Sequence, residues 1–589
     1  MVGMENLESE PAGNRQPVYT FGRFRLEPDG TLLRGEKRVE VTTGELAALW
    51  LLLEHRGRLV THAELGRAIG QGAPIGADSV SETIASLRQR LAPEEHIQPV
   101  QRRGFRFTSE AVEFTAAPAA ALPHVAILPL VAGYGVAEYL GAAVAEGATE
   151  RLGRRQPAVC TLAAKESVAT LARRGLTALE IGQALRADLV LTGTLRALPA
   201  HHRMRAEMIR VEDGRPVWTE DVLVERVNFP GLEAELARLV AWRLEGGEVS
   251  ISATAVPDGV EEHEPHHREA YELYQRARFE WQSLERHRMQ DAVQHLTRAS
   301  ELDPSLTAAR VDLAHLAITE AFHGYLSPAV AVSMVRRAAR LGIEEGAGGE
   351  AILPAVGWVR FHYDRDLGAA LDAFGRSAHL PHDPWATRAR VNLALSRRRF
   401  DEAARLIRDA LSTDPFAAWL HGRLAWVHHL AGDAAASLRE VKAALEQFPS
   451  HEGVELYAGM ILAFNGEAEH AAELAGALAQ RRPYFDPATA VHAYALAVAG
   501  RREEARSILE QMEWMGRERY VLNSLSAAVY VALGEHGHAL AELAAANEAR
   551  CPWFFQALAD PRIAPLRNEP EFCELERILP NMERAAQSD

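Results

Sequence analysis

The spacing of apolar residues changes twice along the chain, and each change marks a different kind of domain. Between residues 42 and 107, apolar positions recur at helical spacing and end in a short alternating run. From 125 to 224, short apolar runs of strand length alternate with helical stretches, and from 268 onward the pattern is helical throughout. These periods predict a multidomain fold: a small α+β domain, a small α/β domain and an all-α array.

The first domain contains three Ser/Thr-x-x-Glu patterns, and each is expected to begin a helix. In such a capping box the hydroxyl and the carboxylate satisfy each other's unpaired backbone N–H groups. The pairs are Thr42 with Glu45, Thr61 with Glu64, and Ser79 with Glu82. Two apolar stripes at i, i+3, i+4 and i+7 follow the first and third boxes and predict buried helix faces; they are Leu46, Leu49, Trp50 and Leu53, then Val80, Ile84, Leu87 and Leu91.

A short β pair then closes the domain, with Pro99-Val100 and Phe105 to Phe107 turning on the basic tip 101–104. If the stripe from Val80 to Leu91 is buried, Ser81, Ala85, Ser86, Arg88 and Gln89 point outward, beside Ser79 at the helix start. Arg88 suits guanine and Gln89 suits adenine, so these two are the candidates for base contacts. Arg102 and Arg103 are expected to contact phosphates, which position a protein without specifying sequence. Glu82 is expected to complete its cap, and Arg90 either reaches DNA or complements the helix dipole.

Residues 17–110 resemble the OmpR-type winged-helix output domain of bacterial transcription regulators. Five ordered blocks carry the resemblance: 26–36, 41–45, 57–65, 84–91 and 103–107. The resemblance implies that the third helix enters the major groove of double-stranded DNA and that the hairpin wing touches the backbone or the minor groove. This chain departs from the family pattern at Gln101, where an arginine is usual, and at the small residues Ala85 and Ser86.

Residues 111–123 are rich in alanine and proline and predict a linker. The α/β domain at 124–246 resembles the TolB-like domain of bacterial regulators, on the segments 125–130, 188–195 and 213–218. The sequence leaves open whether this domain is a spacer, a dimerisation module or a small-ligand sensor. A second linker is predicted at 247–267.

The region 268–589 repeats with a period of 34 residues, which is the tetratricopeptide signature. Prolines and glycines keep this phase at Pro381, Pro415, Pro449 and Pro483 and at Gly432, Gly466, Gly500 and Gly534, and alanines follow at Ala471, Ala505 and Ala539. Such repeats stack into a solenoid with a concave binding surface. The tail 560–572 resembles the cap of similar arrays. Most of the array aromatics are expected in the core between repeats, and the others in the groove; they are Trp385, Trp419, Trp426, Tyr457 and Tyr494.

Charge and cysteine content narrow the function further. Residues 15–110 hold 14 basic and 12 acidic residues, so DNA binding here is inferred from the resemblance and not from charge. The chain as a whole has a net charge of −16, which suggests that the remainder faces proteins or small ligands. Three cysteines without metal or redox spacing fit a reducing cytoplasm. No signal peptide, membrane span, metal site or cofactor is expected, and residues 1–16 are expected to be disordered.

The order of domains resembles that of HilA-type regulators. It predicts a cytoplasmic one-component transcription regulator, more often an activator in this family, and not an enzyme. Its expected partners are double-stranded DNA and RNA polymerase or another regulatory protein, with a homodimer left open. The alternatives are a tetratricopeptide adaptor or scaffold with a vestigial winged helix, and a signalling sensor that binds a small ligand in the α/β domain. An antibiotic-pathway type of activator fits less well, because its helices would follow the wing directly.

Overall fold

The computed structural model divides the chain into two compact units, Met1–Ala121 and Leu122–Asp589. It describes residues 18–26, 31–34, 37–39, 41–70, 75–92, 96–101, 103–109, 111–114, 122–225, 229–245, 265–282, 285–344, 350–377 and 384–588. The predicted N-terminal segment 1–16 and most of the two predicted linkers lie outside the described residues. Among the described residues, no helix has the length and apolar character needed to cross a membrane.

The N-terminal unit is a small α+β domain, as the apolar periods predict. Its elements in chain order are β1 (Val18–Phe21), β2 (Phe24–Leu26), β3 (Leu32–Arg34), β4 (Lys37–Val39), α1 (Thr43–Glu54), β5 (Leu59–Thr61), α2 (His62–Ile69), α3 (Ala77–Leu91), β6 (Ile97–Val100), β7 (Gly104–Phe107) and β8 (Ala111–Phe114). Five strands form an antiparallel sheet in the order β4-β3-β2-β1-β8, and three form a second sheet in the order β5-β7-β6. Leu49, Leu65, Ile84 and Phe107 are among the residues of its apolar core.

The strand β8 corrects the prediction that residues 111–123 are a linker. Residues 111–114 pair antiparallel with β1, and Val18 lies opposite Phe114. Composition did not reveal this strand because its pairing partner lies about 90 residues earlier in the sequence. The N-terminal unit therefore extends past residue 110.

Two of the three predicted capping boxes are confirmed. The Thr42 and Thr61 hydroxyls accept from the backbone N–H of Glu45 and Glu64, and both glutamates accept the backbone N–H of their threonine in return. Of the predicted stripe of α1, Leu49 and Leu53 are buried, whereas Leu46 and Trp50 are half-buried at the edge of the core; Ala48 and Leu52 are buried in addition.

The C-terminal unit begins with the predicted α/β fold. Its elements are β9 (His124–Ile127), β10 (Val131–Ala132), α4 (Glu138–Gly153), β11 (Thr161–Leu162), α5 (Lys165–Arg173), α6 (Ala178–Ala184), β12 (Leu189–Ala197), β13 (His201–Arg210), β14 (Pro216–Glu225) and α7 (Phe229–Leu244). The sheet order is β11-β9-β12-β13-β14, with β10 paired to β12. β9, β11 and β12 run parallel, and the hairpin β13–β14 completes the sheet antiparallel. The helix α5 was not predicted.

The rest of the unit is helical: α8 (Pro265–Trp281), α9 (Arg286–Leu302), α10 (Thr307–His323), α11 (Pro328–Glu344), α12 (Leu353–His362), α13 (Leu367–Arg376), α14 (Pro384–Ser396), α15 (Phe400–Thr413), α16 (Ala418–Leu430), α17 (Ala434–Gln447), α18 (Glu452–Phe464), α19 (Ala468–Arg481), α20 (Asp486–Val498), α21 (Arg502–Gly516), α22 (Asn523–Ala532), α23 (His536–Glu548), α24 (Phe554–Ala559), a 3-10 helix (Pro561–Leu566), α25 (Pro570–Glu576) and α26 (Ile578–Ser588). Consecutive helices from α8 to α21 pack against each other, as do α22 and α23.

The 34-residue period corresponds to pairs of these helices. Gly432, Gly466, Gly500 and Gly534 lie at the turns inside four of them, with φ of 80°, 92°, 83° and 75°. This left-handed backbone conformation favours glycine, because other residues carry a Cβ that strains it. Ala471, Ala505 and Ala539 are fully buried where the helices meet. The tetratricopeptide prediction is confirmed at these positions.

The α/β fold and the array form one body and not two linked domains. On one side, the Tyr271 hydroxyl of α8 donates to Glu233 of α7 at 2.8 Å. On the other side, the Ser167 hydroxyl of α5 donates to Asp414, which follows α15, and accepts from the backbone N–H of Phe416 at 2.9 Å. Phe416 packs against the apolar cluster of α5 and α6. Two separate contacts thus hold the α/β fold against the helices.

The inner surface of the array is not an open groove along its whole length. Residues 551–560 are buried without exception, and they contact helices that are far apart in sequence. The Trp553 indole N–H donates to the carbonyl of Phe322 at 2.9 Å, and the Trp426 indole N–H donates to the Gln556 side chain at 3.1 Å. The chain's own C-terminal segment, 551–566, therefore fills part of the concave surface that the sequence predicted as a binding groove.

A buried ion pair holds this segment in place. Asp560 and Arg562 interact at 2.6 Å with both side chains nearly inaccessible to solvent. The His429 Nε2 lies 3.2 Å from the same carboxylate, and the Arg562 guanidinium lies 4.8 Å from the centre of the Tyr494 ring. Burial opposes ionisation of Asp560, but the charge of Arg562 and the hydrogen bonds outweigh it, and the pKa of Asp560 is lowered.

We expect Asp560→Asn to destabilise the C-terminal unit by about 3–5 kcal/mol, because breaking a buried pair leaves the charge of Arg562 uncompensated. Urea unfolding followed by circular dichroism measures the change. Glu574→Gln is the matched control, since Glu574 is exposed on α25, which follows this segment. Equal stability of both variants would contradict a structural role for the pair.

Candidate nucleic-acid interface

The third helix of the N-terminal unit presents one face to the core and one to solvent. Val80, Ile84, Leu87 and Leu91 are all buried, as predicted. The helix begins earlier than predicted, because Gly76 is its N-cap and Ala77 its first residue. Ser79 therefore lies within the first turn and makes no capping hydrogen bond. The predicted Ser79–Glu82 box is wrong, and both side chains are exposed.

Fewer residues of α3 face solvent than the buried stripe of Val80, Ile84, Leu87 and Leu91 predicted. Ser81, Ala85 and Gln89 are exposed at intervals of four residues, and Arg88 is half-buried. Ser86 does not belong to this face: its hydroxyl donates to the Glu45 carboxylate of α1 at 2.6 Å. A side chain committed to this internal hydrogen bond supports the helix and is not positioned to contact a base.

Glu45 connects the first helix of the domain to the third. Its carboxylate accepts the backbone N–H of Thr42 at 2.6 Å in the capping box, and it also accepts from Ser86 and, at 2.9 Å, from the Arg90 guanidinium. Arg90 thus pairs with Glu45 while its side chain stays 37% exposed. Burial disfavours the charged form, but the hydrogen bonds from Ser86, Thr42 and Arg90 together lower the pKa of Glu45.

The end of α3 is fixed by a second contact. Arg34 of β3 donates through its guanidinium to the backbone carbonyl of Arg90 and lies over the Phe24 ring at 4.9 Å. Because an arginine at a helix C-terminus satisfies an unpaired carbonyl, this contact stabilises the last turn. Glu45 and Arg34 together determine how α3 is held against the rest of the domain.

The wing is the β6–β7 hairpin, extended by β5. Gly104 begins β7 with φ of 150°, and a Cβ there would come within 2.0 Å of the Val60 carbonyl oxygen. Only glycine permits the close approach of β5 and β7 at this point. The His62 ring packs edge-on against Phe105 at 5.5 Å and joins the base of the wing to α2.

Arg103 is exposed at the tip of the wing, in agreement with its predicted position, whereas Arg102 lies outside the described residues. The structure adds Arg106, which is exposed on β7 between the buried Phe105 and Phe107. The alternation Phe-Arg-Phe in the sequence indicated an outward arginine here, but Arg106 was not among the predicted site residues. Arg103 and Arg106 give the wing two outward cations.

No group of three or more histidine, cysteine, aspartate or glutamate side chains suited to a metal ion occurs in the part of the chain that the structure describes. His267 forms an ion pair with Asp303 at 2.7 Å, and His429 belongs to the buried Asp560 cluster.

Three helices, of which α3 presents one outward face, and a three-stranded wing define a winged-helix domain of the DNA-binding type. Residues 35–107 match the family described as "Transcriptional regulatory protein, C terminal". The match covers the N-terminal unit from the end of β3 to the end of β7.

Curated relatives resemble the chain over a limited stretch. The "Transcriptional regulator HilA" of Salmonella typhi and that of Salmonella typhimurium are each 31% identical to it over 130 residues, 21% of this chain and 23% of the relative. The chain therefore spans about a quarter of the length of the curated relatives it matches. The solved DNA-binding domain of Escherichia coli CadC is 20% identical and covers 17% of this chain and all of that one, with a TM-score of 0.16. Yeast Tom70 is 13% identical and covers 56% of this chain and 70% of its own, with a TM-score of 0.33.

We expect Glu45→Gln to destabilise the N-terminal unit by about 1–3 kcal/mol, because a buried carboxylate that accepts hydrogen bonds from Ser86, Arg90 and the Thr42 backbone becomes a neutral amide. Since the pKa of Glu45 is lowered by folding, its contribution is present above the unfolded-state pKa and is lost as pH falls through the folded-state value. Thermal unfolding at neutral and acidic pH measures both effects.

Glu54→Gln is the control for this measurement, because Glu54 is exposed at the end of the same helix. The difference between the two variants should shrink as the pH falls below the ordinary range for glutamate. A difference that stays constant with pH would exclude the charge of Glu45 as its source.

Proposed function

We propose that this chain is a one-component transcription regulator that binds promoter DNA through its winged-helix domain. The observation that carries the proposal is the recognition helix, whose outward residues are supported from behind by Glu45 and Arg34. The family match over 35–107 and the relatives named as transcriptional regulators support the same function. Activation, as opposed to repression, belongs to the proposal.

In the proposed complex, α3 lies in the major groove and its C-terminal half reads bases. Arg88 donates to guanine and Gln89 pairs with adenine, while Ala85 contacts a thymine methyl group. Ser79 at the first turn donates to a phosphate, because hydroxyls and helix N-termini are common phosphate contacts. The Ser81 hydroxyl donates to the Ala77 carbonyl at 2.9 Å, so Ser81 contributes to the face by its exposed position beside the DNA. Asp78 and Glu82 are exposed near this first turn. Their negative charges repel the DNA phosphates, so the first turn of α3 does not approach the DNA backbone closely on that side.

The array supplies the surface for RNA polymerase or another regulatory protein in this proposal. Because residues 551–566 fill part of the concave side, a protein partner docks on the outer helices or on the part of the inner surface that this segment leaves open. The adaptor alternative predicts no specific DNA binding. A gel-shift panel on the DNA upstream of the chain's own gene separates the two, since a regulator shifts a discrete fragment and an adaptor shifts none.

Arg88→Ala should flatten the preference for the cognate site over a scrambled one by about 1–3 kcal/mol, the usual value of a good arginine–guanine contact. Competition gel shifts with both DNAs measure this preference. Arg67→Ala serves as the control, because Arg67 is exposed on α2. Specificity that survives the loss of Arg88 would remove this residue from base recognition.

Replacing Arg103 and Arg106 together by alanine should weaken binding to every DNA sequence about equally. Each lost phosphate contact should reduce the slope of log K against log salt concentration by about 0.9. Binding measured at several salt concentrations gives this slope for the wild type and the variant. An identical slope would place the wing outside the interface.

A further inference from the structure

The last strand of the α/β sheet, β14, has an open edge. In the sheet order β11-β9-β12-β13-β14 it pairs with β13 on one side, and none of the described strands pairs with its other side. The unpaired N–H and C=O groups of such an edge can pair with another chain, so natural sheets usually protect it with a short strand, a bulge or charged side chains. Because β14 has ten residues, its length does not protect it.

The pairing of β14 with β13 is regular over most of its length. The register shifts once, between Met208 and Ile209 of β13, beside the first residues of β14. From Trp218 to Glu225, each residue of β14 lies opposite one residue of β13. The irregularity therefore affects only the start of β14 and leaves the edge from Trp218 onward available for pairing.

The register also assigns the side chains of β14 to the two faces of the sheet. Those on the face that packs against α7 are Trp218, Glu220, Val222 and Val224, and those on the open face are Thr219, Asp221 and Leu223. Val222 and Val224 are half-buried, and Leu223 is 41% exposed. These apolar side chains at the edge are only partly covered within one copy of the chain.

Charge does not protect the edge either, because both acidic residues in the middle of β14 have an internal cation. The Arg203 guanidinium donates two hydrogen bonds to Asp221, at 3.1 and 3.0 Å. The Arg243 guanidinium of α7 donates to Glu220. Both carboxylates are thus compensated within one copy, which reduces their repulsion of an approaching second strand.

The residue types of β14 are nearly symmetrical about Glu220. Trp218 and Val222 lie two positions to either side of it, and Thr219 and Asp221 lie one position to either side. If two copies of β14 pair antiparallel about a two-fold axis at Glu220, Trp218 of each copy lies opposite Val222 of the other. Thr219 of each copy then lies opposite Asp221 of the other, where its hydroxyl can donate to the carboxylate. Directly opposite side chains share a face, with Cβ atoms about 4.5–5.5 Å apart.

The two Glu220 side chains meet at this axis. Each keeps the Arg243 of its own copy as its ion-pair partner. Two carboxylates and two guanidinium groups therefore face one another, and no net charge builds up at the centre of the interface.

Other registers of the same strand lack this match. With the axis at Asp221, Glu220 lies opposite Val222, and with the axis at Thr219, Glu220 lies opposite Trp218. Both arrangements place a charged group against an apolar one. A slip by one residue would turn the helix-covered face of one copy toward the open face of the other. The pattern of β14 therefore selects the register about Glu220.

We propose that two copies of this chain pair through the open edge of β14, antiparallel and about a two-fold axis at Glu220. The interface is isologous, as in most homodimers, and continues the sheet of one copy into that of the other. It covers Val222, Val224 and Leu223, which one copy alone leaves partly open. Because a single strand pair buries a small area, we expect a weak dimer with a dissociation constant in the micromolar range.

Sedimentation velocity on the full-length protein, at concentrations from about 1 to 100 µM, tests this association. We expect a mass that rises from that of one chain to that of two. Val217→Lys combined with Leu223→Lys should weaken dimerisation about tenfold or more, because the added lysines lie close to each other across the paired strands. Val217 and Leu223 are 46% and 41% exposed, so this variant is expected to fold.

The matched control is Val131→Lys combined with Leu198→Lys. It adds the same charge at two exposed apolar positions of the same α/β fold, outside β14. This control should dimerise as the wild type does.

A disulfide tests the register. Glu220→Cys places two thiols opposite each other at the axis, within the reach of a disulfide, so oxidation with diamide should give a covalent dimer on non-reducing gels. In Leu223→Cys the two thiols lie six positions apart along the strands, about 20 Å, and should not cross-link. The wild type, with its three native cysteines, gives the background. The lysine variants keep the proposal testable if Glu220→Cys does not fold.

A wild type that stays monomeric throughout this range would overturn the proposal. So would a dimer that the lysines on β14 leave intact, or one that the control lysines weaken equally. Folded Glu220→Cys that does not cross-link, or Leu223→Cys that cross-links equally well, would exclude the register about Glu220. No DNA is present in these experiments, so their failure is distinct from a failure of the proposed DNA binding.

Discussion

The C-terminal unit depends on the burial of Asp560 and Arg562 at the centre of the array. A carboxylate and a guanidinium removed from water are tolerated only when they are paired and hydrogen-bonded, and here His429 and the Trp426 and Tyr494 rings complete their surroundings. Asp560 and Arg562 pair within one segment, but they are buried, and His429 reaches Asp560, only when α16 and α20 pack against the segment 551–566. Burial of the pair is therefore coupled to closure of the array.

This closure changes how the repeats share their stability. In an open solenoid each repeat contacts only its neighbours, so stability is nearly a sum of local terms. Here Arg519 donates to the Gly324 carbonyl at 3.5 Å, and Arg482 pairs with Glu285 at 3.1 Å, which joins the first helices of the array to late ones. Contacts of such long sequence separation make the unit more cooperative than the repeat pattern implies.

Local patterns in the sequence predicted the helices and turns well. They failed for side chains whose hydrogen-bond partner lies far away in the sequence. The buried stripe of α3 and the glycine turns at Gly432 to Gly534 needed only helical spacing and one residue type. Ser86 was assigned to the DNA face because the hydrogen bond that turns it inward comes from Glu45, 41 residues earlier. Ser79 failed for a different reason: Ser-x-x-Glu also occurs inside a helix, and the start of α3 is determined by the extended backbone at Gly76.

The same limit explains why the inner surface of the array could not be predicted. Trp385, Trp419, Trp426, Tyr457 and Tyr494 are alike in sequence, since all are aromatics on helices that line the repeats. Three of them are buried and two are half-buried. Which rings are buried depends on how far the segment 551–566 extends along the inner surface. Nothing in a 34-residue period encodes that end point, because the filling segment is not itself a repeat.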